Sequence, residues 1–325
     1  MLRTMLSAGL SVAAVAFAMS AATPAFAEYP ERPITWIVPW GAGGGTDATS
    51  RMLAGLVEKD LGVPVNVVNR TGGGGVVGHS AISMAKPDGY TVGTVTVEIA
   101  MMHWAGLTKL DYTGYTPLAL FNADSAGVHV ASDSKYNDVK TLLADAKADP
   151  GSMKGSGTGQ GGIWHLALAG MLVAADADPS TVPWVPTKGS APALQDLVSG
   201  GVDVVTCSVS EASSLIDAGK VKTLAVMANE RLDKYPDVPT LKEAADLDWT
   251  SATWRGVGAP KGLSDDVASK LSASIEKAYK SDEFQAFMKK RGFGTIWRDG
   301  AGFGEWMAKA DADLGKVMKA AGLAK

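Results

Sequence analysis

The 325-residue chain carries 34 acidic and 30 basic side chains, a net charge of −4. That length builds two domains with cores of their own, and the mildly negative balance argues against a nucleic-acid partner; anionic small molecules stay open, because helix ends supply positive potential locally. The one cysteine, Cys207, excludes an intramolecular disulfide, and the apolar run Val202–Val209 around it points to a buried thiol rather than a nucleophile.

Arg3, the apolar run through Leu10, Val12, Val15, Phe17 and Met19, and the small-x-small ending Ala25-Phe26-Ala27 predict a secretory signal peptide over residues 1–27. Its apolar stretch is too short to cross a bilayer and no cysteine near the cut offers a lipid attachment point, so a soluble product in a bacterial periplasm is expected. Ile34–Val38 then reads as a strand, ended by Pro39 and a glycine loop, Gly41-Ala42-Gly43-Gly44-Gly45-Thr46-Asp47. From Ser50 the period changes: Met52, Leu53, Leu56, Val57 and Leu61 share a helical face that Gly62-Val63-Pro64 ends. Val65–Val68 is the next strand, followed by Asn69-Arg70-Thr71 and Gly72–Gly75, a helix to about Ala85, the turn Lys86–Gly89 and a β-rich run Tyr90–Val97.

The same grammar returns later. A helix over Val139–Ala148 and a brief strand near Met153 lead to a second glycine loop, Gly155–Gly162, and a helix over Ile163–Ala174. Strands at Val182–Val185, Val202–Ser208 and Val221–Val226 alternate with helices at Ala191–Val198 and Ala212–Ala218, and Pro236–Pro239 marks a polar crossing. Helices at Asp265–Tyr279, Asp282–Lys290 and Ala301–Ala321, with a short strand at Phe293–Ile296, lack a sheet of their own and are expected to return over the first domain. The alternation predicts an α/β protein with mainly parallel sheets flanked by helices. Its two domains are 28–125 with 249–325, and 126–248, and the two crossings between them form a hinge.

Each glycine loop follows a strand and opens into a helix, one in each half. Unpaired backbone N–H groups at two such helix ends, facing across a cleft, suit a small anion, and glycine lets an oxyanion approach closely. The alternative for either loop is a tight strand-to-helix turn with no ligand. A dinucleotide fingerprint is not met: Thr46 stands where a third glycine is needed and Asn69 where a ribose-binding acid is needed. No Gly-Lys-Ser/Thr closes the run. His79, His103, His129 and His165 lack metal-ligand spacing, so neither a metal nor a cofactor is expected.

Tyr29-Pro30-x-x-Pro33-Ile34, Val38–Asp47, Asn69-Arg70, Pro87-Asp88-Gly89-Tyr90-Thr91, Lys188-Gly189-x-x-Pro192-Ala193 and Asp237-Val238-Pro239-Thr240 together resemble the substrate-binding receptors of tripartite tricarboxylate transporters, the Bug family. The resemblance spans the chain after residue 27. It implies a two-lobed periplasmic binding protein fold of the type II kind and a monomeric, non-catalytic receptor that hands a small organic carboxylate to a membrane permease. Carried over, the ligand loops are Trp40–Asp47 and Ser156–Gly162, with Asp47 capping the helix or orienting loop amides. This chain has Trp40 where phenylalanine is frequent, Thr71 where proline is common, and Trp184-Val185-Pro186-Thr187 where His-Val-Pro-Tyr is frequent, so no relative's substrate is carried over.

The candidate ligand-binding residues are Trp40, Gly41, Ala42, Gly43, Gly44, Gly45, Asp47, Ser156, Thr158, Gln160, Gly161 and Trp184. Trp40 and Trp184, each at a strand end, would wall an organic ligand or serve as core. Arg70 reads as an interdomain or loop-bracing ion-pair partner or a direct ligand contact, and His165 as a packing residue or an anion contact. Two other functions stay open: a secreted hydrolase or ligase-like enzyme using the same anion sites, weakened by the lack of Gly-x-Ser-x-Gly, and a sensor module reporting occupancy to a membrane partner.

Overall fold

The computed structural model describes residues 29–187 and 189–325; the expected signal peptide and Lys188 lie outside the described residues. The first half runs β1 (Ile34–Val38), α1 (Gly45–Leu61), β2 (Val65–Asn69), α2 (Val76–Ser83), β3 (Thr91–Thr96) and the long β4 (Tyr115–Ala131). There follow α3 (Val139–Ala148), β5 (Gly155–Ser156), α4 (Ile163–Ala174), β6 (Trp184–Val185), α5 (Ser190–Val198), β7 (Val204–Ser208), α6 (Val209–Asp217) and β8 (Val221–Val226). The chain ends with α7 (Leu241–Ala245), β9 (Ala252–Pro260), α8 (Asp265–Lys280), α9 (Asp282–Arg291), β10 (Thr295–Asp299) and α10 (Gly300–Ala320).

Two sheets share β4. The first has the order β2-β1-β3-β9-β4 with β10 also on β4, and the second runs from β4 through β7 and β5 to β6, with β8 on the other side of β4. β4 pairs with β9 up to Ser125↔Ala252 and with β7 from Ala126↔Ser208 onward, so one strand changes sheets between consecutive residues. The junction is fixed by three backbone bonds: Ala126 N to Ser251 O (2.8 Å), Met227 N to Ala126 O (2.7 Å) and Ser251 N to Met227 O (3.0 Å). The mainly parallel pairing expected holds among β1, β2 and β3 and among β5, β6 and β7; it gives way to antiparallel pairing wherever β4, β9 or β10 joins. The Pro236–Pro239 stretch lies on the second sheet, where Val226 donates to the Pro239 carbonyl, and the chain re-enters the first sheet at Ala252.

The first sheet is covered on both faces, which is why β1 is apolar at successive positions rather than alternating. Ile34, Trp36 and Val38 pack with Leu53 and Val57 of α1 and with Ile275 and Phe284 of α8 and α9. Ile37 and Val95 face the larger cluster, which includes Phe303 and Met318 of α10. The C-terminal helices thus return over the first sheet. α1 starts at Gly45, ahead of the apolar stripe, because its first turn is anchored by hydroxyls: Trp36 donates to Thr94 (2.9 Å), Thr94 bonds Ser50 (2.6 Å), and Ser50 donates to the Thr46 carbonyl (2.6 Å). At its far end Gly62, left-handed at φ 72°, returns its N–H to Glu58 and closes the helix.

Candidate functional site

Strand direction sets the crevice. β4 and β3 are both antiparallel to β9, so β4 runs the same way as β1–β3 and leaves the first sheet at the end where those strands terminate. In the second sheet β7 is antiparallel to β4 and ends at Ser208, opposite Ala126, while β5 runs parallel to β7. The carboxyl ends of β1–β3 therefore face those of β5–β7 across the switch in β4, which is where open α/β sheets place ligands.

On the first side, the loop from Trp40 to Gly45 leads into α1, whose N-cap is Gly44 in extended geometry with no side-chain cap. Gly41, Ala42, Gly43 and Gly44 are exposed, and a Cβ added at Gly41 or Gly43 would meet nothing within 4 Å. Packing does not demand glycine there; what its absence of side chain leaves open is the backbone. Gly43 does need its freedom, at φ 84°. Asp47 is buried and accepts from Gly43 N (2.9 Å), Arg51 Nε (2.9 Å) and Asn69 Nδ2 (2.8 Å). Burial pushes its carboxyl up, yet these bonds together hold it below the usual carboxylate range. Asp47 therefore shapes the loop by taking the Gly43 amide. Trp40 is half-buried, its indole donating to Thr96 Oγ1 (3.2 Å) and its carbonyl accepting from Asn69 (2.8 Å).

On the second side, Gly159 to Gly162 leads into α4, again capped by a glycine with no side-chain cap. Ser156 is buried and donates to the Val185 carbonyl (2.7 Å), tying β5 to β6. The Thr158 carbonyl accepts from Trp184 Nε1 (3.0 Å) and Thr187 N (3.1 Å). Gln160 is exposed at the tip. Gly161, at φ 76°, donates its amide to His165 Nδ1 (3.0 Å), and the His165 ring stacks on Trp184 with centroids 4.7 Å apart. Burial pushes the His165 pKa down to about 4, so the ring is a neutral acceptor at physiological pH. Gly157 is glycine for packing: a Cβ there would lie 2.2 Å from the Thr206 carbonyl and 2.9 Å from Trp164 Cβ. Gly157→Ala is expected to lower unfolding stability by roughly 2 kcal/mol, an overpacking cost readable by urea titration.

Most of the residues that hold these loops carry no local sequence signal. Arg255 of β9 is buried; its Nε donates to Thr46 (2.9 Å) at the start of α1, and one terminal nitrogen reaches Asp124 (2.8 Å) and Asn122 of β4. Arg51 rather than Arg70 braces the first loop, donating to Asp47 and to Asn69 (2.9 Å); Arg70 is exposed at the end of β2. The i, i+4 spacing of Asp47 and Arg51 was the readable clue. Glu98, just past β3, accepts from Thr96, and burial pushes its carboxyl up. Among the described residues no cluster of three or more potential ligands could hold a metal, and no helix is long and apolar enough to cross a membrane.

Two mixed sheets sharing one strand, with uncapped helix ends turned toward a common crevice, define an α/β periplasmic solute-binding protein. The chain belongs to the tripartite tricarboxylate transporter family of receptors, whose model (TctC) matches residues 49–323. It is a periplasmic receptor, not an enzyme. It is 34% identical over 270 residues to a Pseudomonas sp. (strain P51) protein described as the UPF0065 protein in the tcbD-tcbE intergenic region, covering 82% of this chain and 80% of that one. A TctC solute-binding protein from Polaromonas without ligand superposes with a TM-score of 0.79 at 33% identity, over 90% of this chain and 99% of that one. A Rhodopseudomonas palustris protein with adipate gives a TM-score of 0.77 at 25% identity, over 91% and 99%.

Proposed function

We propose that this receptor captures a small organic carboxylate in the crevice between its two sheets and delivers it to the membrane permease of a tripartite tricarboxylate-type transporter. The observation that carries this reading is the pair of glycine-capped helix ends, at α1 and α4, projecting from opposing strand ends, with open space over Gly41 and Gly43 of the one loop and Gly159 and Gly161 of the other. Amides of this kind compensate a carboxylate's lost hydration without a buried cation, and they sum with the helix dipoles. In this reading the two sheets are two lobes, residues 28–125 with 249–325 and 126–248, hinged where β4 changes sheets. Trp40 and Trp184 flank the ligand, while Asp47, Ser156 and His165 hold the loops in shape. The adipate held by the R. palustris relative supports an acidic solute.

The test is calorimetry against aliphatic, aromatic and amino acids, preceded by a thermal-shift screen, since a solute that binds only the native state raises its midpoint by mass action. Gly44→Val is the informative variant. An added Cβ at Gly44 meets only the Gly41 carbonyl, at 3.6 Å, and the backbone there is extended, so the variant is expected to fold within about 1 kcal/mol of the parent. Its affinity is expected to fall at least about tenfold, and further than in Lys188→Ala. Equal or greater loss in Lys188→Ala would make side-chain charge the principal grip and sink the glycine-loop reading.

A further inference from the structure

α5 and α6 begin side by side at the crevice end of the second sheet, and one carboxylate spans both starts. Glu211 Oε1 accepts from Ser190 Oγ (2.9 Å) at the first turn of α5. Its Oε2 accepts from Ser208 N (3.2 Å) and Ser208 Oγ (2.8 Å), closing a capping box at α6. Ser208 lies opposite Ala126, the residue at which β4 changes sheets, so the helix start that this carboxylate caps is at the crevice end of β7, next to the junction. Two residues before Ser208, the Thr206 carbonyl of the same strand abuts Gly157 of the second glycine loop.

α7 opens with the same box, and the two differ in an instructive way. There Glu243 accepts from Thr240 N (2.8 Å) and is neutralised by Arg231 (2.8 Å). Glu211 has instead a serine hydroxyl from a neighbouring helix and no basic partner in the capping box, although both glutamates are exposed. A box needs only the reciprocal serine; the added bond from Ser190 directs a negative charge across two helix ends while its remaining lone pairs face solvent.

We propose that Glu211 sets the receptor's selectivity: it is a built-in carboxylate that occupies the helix ends a dicarboxylate's second acid group would use. The preferred solute is a single-carboxylate acid with a hydrogen-bond donor, hydroxyl or ammonium, at its far end. This rests on the proposed carboxylate site. A second solute carboxylate beside Glu211 sets two like charges on one donor set, whereas a hydroxyl or ammonium finds an acceptor already fixed in place.

The experiment is calorimetry of the full receptor at pH 7 with matched four- to six-carbon acids whose far end is methyl, hydroxyl, ammonium or carboxylate. Wild type is expected to bind the hydroxy or amino acid at least about tenfold more tightly than the dicarboxylate of equal length. In Glu211→Gln, whose amide oxygen still accepts from Ser208 while its NH2 donates to the Ser190 hydroxyl, that preference narrows at least tenfold through tighter dicarboxylate binding. A wild-type preference for dicarboxylates, or equal effects of the variant on both classes, overturns the assignment to Glu211 while leaving the carboxylate site standing. No binding of any acid by wild type sinks both. Should Glu211→Gln not fold, the wild-type series decides alone.

Discussion

Arg255→Met is expected to lower the unfolding free energy by about 3–5 kcal/mol, the cost of leaving a buried charge without its partner. Arg255 is buried, and its guanidinium is shared between Thr46 of α1 and Asp124 and Asn122 of β4, with the Phe293 ring at 5.8 Å. Without it, the Asp124 carboxylate keeps, among the described residues, only the Gly294 amide (2.7 Å) in a setting that otherwise excludes water. Because Asp124 lies two residues before the sheet switch and Thr46 opens α1, the same change is expected to loosen the first glycine loop from the junction and, on the proposed function, to lower carboxylate affinity along with stability. Urea denaturation reads the first effect. The double variant Arg255→Met with Asp124→Asn removes the orphaned charge and is expected to recover part of the loss. A single-variant cost under about 1 kcal/mol, or full additivity in the double, would show that the guanidinium is not what binds α1 to β4.

That arginine also marks the limit of what the sequence discloses. The strand-loop-helix units around both glycine loops are written locally, in short apolar runs punctuated by Gly and Pro, and their elements and the coverage of the first sheet by the C-terminal helices were legible. β4, the spine of both sheets, was not. Its residues are buried on both faces over much of Tyr115–Ala131, so no alternation shows, and Pro117, Asp124 and Gly127 interrupt its β-propensity. β9 was silent for a related reason: Gly256 lacks a side chain because the Phe303 ring would lie 2.2 Å from its Cβ, and Gly258 because Val95 would lie 2.7 Å away. Those demands come from residues distant in sequence. The exposed glycines of the candidate loops were readable for the opposite reason, since nothing packs on Gly41, Gly43, Gly159 or Gly161 and their spacing reflects the loop itself. The groups that hold the loops, with Arg255 reaching Thr46 from 209 positions away, become visible only in the fold.

Acidification provides the second large effect, through His79 and His129. Both are fully buried and neutral, burial pushing each pKa down to about 4. Each is used at both ring nitrogens. His79 Nδ1 donates to the Gly75 carbonyl (2.9 Å) while Nε2 accepts from Thr96 N (3.1 Å). His129 Nε2 donates to the Cys207 carbonyl (3.2 Å) and Nδ1 accepts from Thr223 Oγ1 (3.0 Å). A second proton would turn an acceptor into a donor facing a donor. In the unfolded chain these rings titrate near 6.5, so between pH 6.5 and about 4 the unfolded state holds more protons and stability falls as pH falls. At pH 5 each ring is expected to cost about 2 kcal/mol relative to pH 7, roughly 4 kcal/mol together. Glu98 works in the opposite sense, since burial raises its pKa and its protonation favours the native state on acidification, offsetting part of the loss. The diagnostic quantity is therefore the difference between the pH profiles of wild type and His129→Asn, which should diverge below about pH 6.5 by one ring's share. Parallel profiles from pH 7 to 4 would exclude His129 as a source of acid lability. His79 also lies next to the first glycine loop, because its partner Thr96 receives the Trp40 indole.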